Sequence, residues 1–491
     1  MAVNNTYAGN GGVPIGSTLR RLAYAIKYRE ANFLLSDAVN GGSRILDHRS
    51  PSERVERVAP WLRLDGNVYP AVVEGRVQWI VDGFTTSANY PNSRQLELAE
   101  ATSDAVAQRS NVVAVGAGQV NYVRNAVKAT VDAYTGAVKL YGWDTKDPML
   151  KAWSNAFPGS VRPLSEISGD LMAHIRYPQD LLKVQRELLT EYHVTNPGDF
   201  FSGSDKWRVP RDPSSTTQDQ PVVFQSIAMP GEKEAAFSIT SPFVPASNNV
   251  AGREILRGLL AVDADAGTQA GKPAADYGLL RLLEYGSATP AGPGQVLNQI
   301  QNSPVRSQNQ AEQLSLAQYI TNNSGSGKTL TFGNLLTFPL EGRMFYVQPI
   351  YVQAASGSGS FPQNKITVAV YGTTVSWGDT LSQAVSGLFG EGDGADEPEE
   401  PGGTGTPATT AAAQLAEALT EIQDAYQTGQ DALKAGDFAA YGTAQKRLDT
   451  AIKKAQALAP QLVAGVPTPN PTATATPTPS PSPSATASPA G

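Results

Sequence analysis

Apolar residues recur at helical spacing from Ser17 to Val39, where Leu19, Leu22, Ala23, Ile26 and Phe33 share one face. Arg20, Arg21, Lys27 and Arg29 fall mostly off that face, so the span predicts one amphipathic helix. A second helix is predicted from Tyr177 to Tyr192, with Pro178 in its first turn and Leu181, Leu182, Leu188, Leu189 and Tyr192 as its apolar set. Between them the period changes to two. Val68–Val73 and Arg76–Val81 flank Glu74-Gly75, which predicts a hairpin pairing Val72 with Val77 and Val68 with Val81, with Trp79 on the same face. Pro70 places its strand at an edge. Thr130–Tyr134 and Ala137–Tyr141 flank Thr135-Gly136, which predicts Val131 opposite Leu140, Ala133 opposite Val138 and Asp132 opposite Lys139.

From Pro221 to Tyr371 the pattern is β-rich, with Phe332–Leu340, Arg343–Gln353 and Lys365–Tyr371 as strands and a small helix-and-loop lobe from Asn248 to Ile320 interrupting them. The composition then shifts. Residues 390–407 are rich in Gly, Pro and acid and predict a linker. Residues 408–465 carry two heptad-like stripes, Leu415, Leu419, Ile422, Tyr426 and Leu433 on one side and Phe438, Tyr441, Leu448, Ile452, Ala455 and Leu458 on the other. Gly436 and Asp437 suit the turn between them, so a two-helix hairpin is predicted. Residues 466–491 hold eight prolines and ten Ser/Thr, a disordered, stalk-like tail and a candidate for O-glycosylation. The expected fold class is α+β: mixed sheets with helices in a multi-lobed body over 1–389, with a lobe boundary near residue 215, then the linker, the hairpin and the tail.

Charge sharpens this picture. The net charge of −7 falls on the linker, which has six acids and no base, and on the hairpin, which has six acids and five bases. Residues 1–389 are therefore neutral and carry no footprint for nucleic acid. The absence of cysteine in the 491 residues excludes disulfides, thiolate nucleophiles and Cys-ligated metal. His48, His174 and His193 are scattered and show no spacing of a helical metal site. No apolar run reaches the roughly 18–20 residues of a membrane span.

Candidate chemistry is sparse. Gly325-Ser326-Gly327-Lys328-Thr329 lacks the leading glycine of a phosphate-binding loop, and Thr329-Leu330-Thr331-Phe332 after it reads as a strand, so a flexible turn is expected. Gly116-Ala117-Gly118 resembles part of a dinucleotide fingerprint without its last glycine and is expected to be a turn before a helix. No Gly-x-Ser-x-Gly elbow is present. The remaining candidates are Asp65, Asp82, Asp144 and Asp147, which sit beside turns and aromatics in Leu64-Asp65-Gly66-Asn67, Val81-Asp82-Gly83 and Trp143-Asp144-Thr145-Lys146-Asp147-Pro148. Two such acids beside a pocket serve acid/base chemistry or bind a hard cation such as Ca²⁺. Asp before Gly or Pro equally caps turns, which is the stronger reading. The run Trp79 to Pro91 suits a sugar or lipid-headgroup platform, or, more simply, a packed core. No cofactor is expected.

Several long motifs carry a resemblance. They are Ser43-Arg44-Ile45-Leu46, Arg54-Val55-Glu56-Arg57-Val58-Ala59-Pro60-Trp61-Leu62, Asp65-Gly66-Asn67-Val68-Tyr69-Pro70 and Trp79-Ile80-Val81-Asp82-Gly83-Phe84-Thr85-Thr86-Ser87. Asn121 to Lys128, His174 to Leu181, Gly292-Pro293-Gly294-Gln295 and Tyr346 to Tyr351 continue them. The chain resembles uncharacterised protein family 0182, large bacterial membrane proteins, over most of residues 1–390 and into the hairpin. Phe84 stands where the family usually has Tyr. The resemblance implies that family members carry about seven transmembrane helices in a first half that this chain lacks. The expectation is a fragment corresponding to the extracytoplasmic half, on the outer face of the cell membrane, with a soluble paralogue as the alternative. Its expected partners are that transmembrane half or other envelope proteins, with the membrane reached by association only. The implied role is binding or scaffolding in the envelope, with a carboxylate-dependent envelope hydrolase or transferase as the alternative. The family carries no established activity, so the resemblance assigns no catalytic residue.

Overall fold

Ser17 accepts the N–H of Arg20 and opens α1 (Thr18–Tyr28). The helix expected to run to Val39 stops here, because Arg29 takes a left-handed conformation (φ 55°) and closes the last turn onto Ala25 and Ile26. A short α2 (Asn32–Leu35) follows. In the computed structural model the described residues are 7–105, 118–212, 215, 217–246, 254–286, 290–305, 314–325, 327–354 and 361–389, with scattered helical positions between 421 and 453. The α1–α2 excursion is closed at its base by two-residue strands, Val13–Pro14 against Arg44–Ile45.

α3 (Pro51–Val58) leads into a six-stranded sheet. Its principal strands are β1 (Tyr69–Val73), β2 (Arg76–Ser87), β3 (Tyr122–Asp132) and β4 (Val138–Gly142). The β1–β2 register is the expected one, Val72 opposite Val77. Glu74 (φ 51°) and Gly75 (φ 74°) both sit in the left-handed region that a two-residue hairpin turn requires. Among the described residues β1 pairs with β2 alone, as an edge strand bearing Pro70 should. Trp79 and Val81 reach a core with Val55, Ala59, Val127 and Leu140, while Val72 and Val77 at the tip stay exposed.

The β3–β4 register differs from expectation by two residues. Val131 faces Val138 and Thr130 faces Lys139. The cause is Asp132, whose Oδ1 accepts the N–H groups of Tyr134 and Thr135 and the Thr135 hydroxyl, while Gly136 N–H returns to Asp132 O at 2.7 Å. These contacts widen the turn, and Asp132 pairs with Arg76 (2.9 Å) rather than Lys139. A slip of two preserves every face, so the core is unchanged.

β2 is covered on both sides. Ile80 and the β1 residues Tyr69 and Val73 pack on Ile167, Met172 and Ile175 around α5 (Gly169–Met172), beyond α4 (Pro148–Ala156). α6 (Gln179–Tyr192) follows, with Pro178 at its cap. A second, antiparallel sheet contains β5 (Val223–Ile227), β6 (Ala236–Pro245), β7 (Gly258–Asp263) and β8 (Leu280–Glu284). β7 and β8 stand within the stretch expected to be helix and loop. β7 is buried along its whole length and so has no polar alternation to reveal it.

α7 (Pro293–Gln301) and α8 (Leu316–Asn323) lead to the third sheet. It contains β9 (Lys328–Phe332), β10 (Leu336–Leu340), β11 (Arg343–Ala354), β12 (Gln363–Tyr371) and β13 (Thr374–Gly378), before α9 (Leu381–Phe389). The single strand expected over Phe332–Leu340 is two strands, both pairing with β11. Gly333 separates them by donating to Pro349 O at 2.8 Å. The second and third sheets share a core of Ile227, Leu259, Tyr346, Ile350, Val368 and Trp377. The class is α+β.

The chain divides into two units, 1–395 and 396–491. In the second unit, Ala425, Ala432 and Ala444 are buried and Arg447 binds Glu421 (2.7 Å). The linker at 390–407, the tail at 466–491 and most of the expected hairpin lie outside the described residues.

Candidate functional site

β2 and β3 place Asp82 directly opposite Lys128, both pointing away from the Val55 core. Lys128 Nζ lies 2.5 Å from Asp82 Oδ1 and 3.0 Å from both Arg176 O and the Tyr277 hydroxyl, which uses its three donors. The ammonium also stands 5.0 Å from the Trp143 ring centroid. Asp82 and Lys128 are almost wholly buried.

Asp65 follows the two-residue strand Arg63–Leu64 and binds its backbone N–H to Asp82 O. Its carboxyl accepts Asn67 N–H (2.7 Å) and, across the fold, Asp180 N–H (2.9 Å) at the start of α6. Asp180 returns the contact, Oδ2 accepting Gly66 N–H at 2.8 Å, and its Oδ1 lies 3.1 Å from Lys183. Lys183 also binds Asp104 (3.0 Å) and Thr102 O. Arg186, one turn on, donates to Gln220 O. Burial, then the nearby Asp180 and Asp82 carboxylates, push the Asp65 carboxyl well above its ordinary range. The buried layer holds four acids, Asp65, Asp82, Asp104 and Asp180, against three bases, Lys128, Lys183 and Arg186. Burial also pushes the Tyr277 hydroxyl up and the Arg186 guanidinium down.

Of the four expected acids, the structure thus brings Asp65 and Asp82 together and places the other two elsewhere. Asp147 caps α4, accepting Met149 and Leu150 N–H, the Thr85 hydroxyl (2.7 Å) and the Tyr122 hydroxyl (2.5 Å). Burial raises its affinity for a proton, but these donors outweigh it and hold the carboxyl below its ordinary value. Tyr122 is pushed up to about 12 by burial and by Asp147. Asp144 accepts Lys146 N–H in a turn and pairs with Arg124 (2.5 Å) near the surface. Turn and cap roles therefore account for Asp144 and Asp147. The Trp79–Pro91 run is largely core, with Ile80, Val81 and Phe84 buried.

The other motifs resolve locally. Lys328 opens β9, not a helix, and reaches Asn323. Gly118 precedes the two-residue strand Gln119–Val120 and then β3, where a helix was expected. His174 binds Val72 O, and His193 binds Leu189 O and Asp205 O while stacking on Trp207. His48 binds Glu53. Among the described residues, no group of three or more His, Asp or Glu is placed to hold a metal ion. A polar cleft of about 270 Å³ opens beside the two hairpins, lined by Glu74, Arg76, Asp132, Lys139, Tyr141 and Glu166. None of the four expected acids lines it.

Lys128, Asp180, Lys183, Arg186 and Asp104 were not expected at this site. Periodicity does not mark them: Lys128 alternates with Val127 and Ala129, and Asp180, Lys183 and Arg186 fall off the Leu181/Leu182/Leu188/Leu189 face, so the pattern reads all of them as solvent-facing.

The chain matches the model of Uncharacterised protein family (UPF0182) over residues 1–313. It belongs to that family. The UPF0182 protein of Arthrobacter sp. (strain FB24) is 46% identical over 465 residues, covering 92% of this chain and 45% of its own length. That of Kineococcus radiotolerans is 46% identical over 484 residues, 93% and 46%. That of Streptomyces coelicolor is 44% identical over 458 residues, 92% and 44%. This UPF0182 chain therefore spans somewhat less than half the length of these relatives. No solved structure matches it.

Proposed function

We infer that this UPF0182 chain is a binding or scaffold module of the bacterial cell envelope, held at the outer face of the membrane and working with the remainder of a longer protein. The observation that carries the scaffold reading is the buried charge layer. Asp65, Asp82, Lys128 and Asp180 are sealed from solvent and fasten the first sheet to α6 and to Tyr277. Acids used in this way position secondary structure, and they do not face a substrate. The outer-face location rests on the sequence resemblance and the Pro/Thr/Ser-rich tail, and the relatives' greater length supports a larger assembly.

The test is protease shaving of intact cells expressing the full gene product with an epitope tag at its C-terminus. Loss of the tag from intact cells supports the reading. A tag protected in intact cells and recovered in the cytosolic fraction overturns it.

A further inference from the structure

α1 is amphipathic in the wrong sense for a helix serving its own core. Ala25 is its buried residue, on the side of the helix away from Leu19. Leu19, Leu22, Ala23 and Ile26, spaced by three and four residues, form one stripe, and the stripe faces solvent: Leu19 is 77% exposed and Ile26 69%. α2 adds Leu34 and Leu35, the latter also 77% exposed. This is not a loose segment. Tyr24, Tyr28 and Phe33 stack α1 on α2 with centroids about 6 Å apart. The base is closed by the Val13–Pro14 and Arg44–Ile45 pairing, and Asp47 holds both Lys27 and Tyr28.

The stripe is bordered by cations. Residues 17–40 hold Arg20, Arg21, Lys27 and Arg29 against Glu30 and Asp37, a net +2 in a body whose remainder is net −2. Arg20 and Arg29 are exposed. A leucine and isoleucine stripe edged by arginine matches the interface of an anionic bilayer, where the apolar side enters the acyl boundary and the cations meet phosphate. It matches a second copy poorly, since two such faces in contact would bring both sets of cations together. Among the described residues no helix is long and apolar enough to cross a membrane, so the contact is peripheral.

We propose that α1–α2 is a membrane-surface paddle that seats its Leu19/Leu22/Ile26 stripe in an anionic phospholipid interface. The proposal rests on the outer-face reading for its biological setting, but its physical content is separable.

The experiment is co-sedimentation of the purified 491-residue chain with vesicles of phosphatidylcholine alone and of phosphatidylcholine with phosphatidylglycerol. Binding is expected to the anionic vesicles, with clear weakening at high salt. Leu19→Glu with Ile26→Glu should cut it by about tenfold or more at an unchanged melting curve, because both positions are exposed. Arg20→Gln with Arg29→Gln should reduce only the preference for anionic lipid. If the Glu variant misfolds, Leu19→Ser with Ile26→Ser and a tyrosine-fluorescence shift on vesicle addition provide the same test. Equal behaviour of wild type and variants with vesicles overturns the proposal. So does a dimer that the Glu variant dissociates, which would assign the face to self-association. A cytosolic chain that binds anionic vesicles removes the location and keeps the paddle. An outer-face chain that ignores vesicles does the reverse.

Discussion

Asp65 and Asp180, 115 residues apart, cap each other's backbone: Asp65 Oδ2 accepts Asp180 N–H at 2.9 Å, and Asp180 Oδ2 accepts Gly66 N–H at 2.8 Å. The exchange locks the start of α6 against the strand preceding the first hairpin. Asp180→Ala frees Gly66 N–H and strips Lys183 of one partner, and is expected to lower stability by about 3–5 kcal/mol. Asp180→Asn keeps an acceptor for Gly66 and should cost less. Urea unfolding of the two variants measures the difference.

Stability should respond to pH in opposite directions at Asp65 and Asp147. Asp65 titrates well above its unfolded value, so the native state holds a proton the unfolded chain has released. Its contribution is complete below about pH 4 and declines as pH rises from there toward the raised native value. Asp147 is held low, so its contribution is present above about pH 4 and lost as pH falls below it. Urea midpoints at pH 5 and pH 8 should therefore lie closer together in Asp65→Asn than in the wild type. An unchanged gap would mean that Asp65 is ionised in the native state throughout.

Lys128 and Asp82 form a buried pair whose halves are worth little alone. Lys128→Met leaves Asp82 buried without its cation, and should cost about 3–5 kcal/mol. Adding Asp82→Asn to it should recover part of that loss, since a neutral amide has a smaller desolvation penalty. A double-mutant cycle in urea checks this, and additive costs would show that the two side chains do not depend on each other.

The two acids of the Asp144–Asp147 segment should separate cleanly. Asp147→Ala removes a helix cap and orphans the Thr85 and Tyr122 hydroxyls, for about 2–4 kcal/mol. Asp144→Ala loses a surface pair with Arg124 and one turn contact, for about 0–1 kcal/mol. Thermal melts of both variants test the ranking.

The first hairpin was legible because Glu74-Gly75 is a short turn whose chemistry and flanking valines agree. The second was misplaced by two residues because the Asp132 side chain, not the strand pattern, decides how many residues the turn consumes. α1 was legible as an element, but Arg29 ended it early through a backbone conformation that periodicity does not report. Which side of α1 faces water was equally invisible, since a stripe has the same spacing whether covered or bare. At the site, Asp65 and Asp82 drew notice from their turns. Lys128 and Asp180 did not, because their meaning depends on partners that only the tertiary fold supplies.

Lys128 sits 149 residues before the Tyr277 hydroxyl that completes its shell. A chain delivered from its N-terminus, by a ribosome or through a translocation pore, presents the ammonium long before its cover arrives. At about 5–20 residues per second the wait is roughly 7–30 s. During it, the Ile80 face and its embedded charge stand open, available to chaperones and to wrong strand partners. The first sheet thus emerges well before the residue that completes the shell of its buried charge.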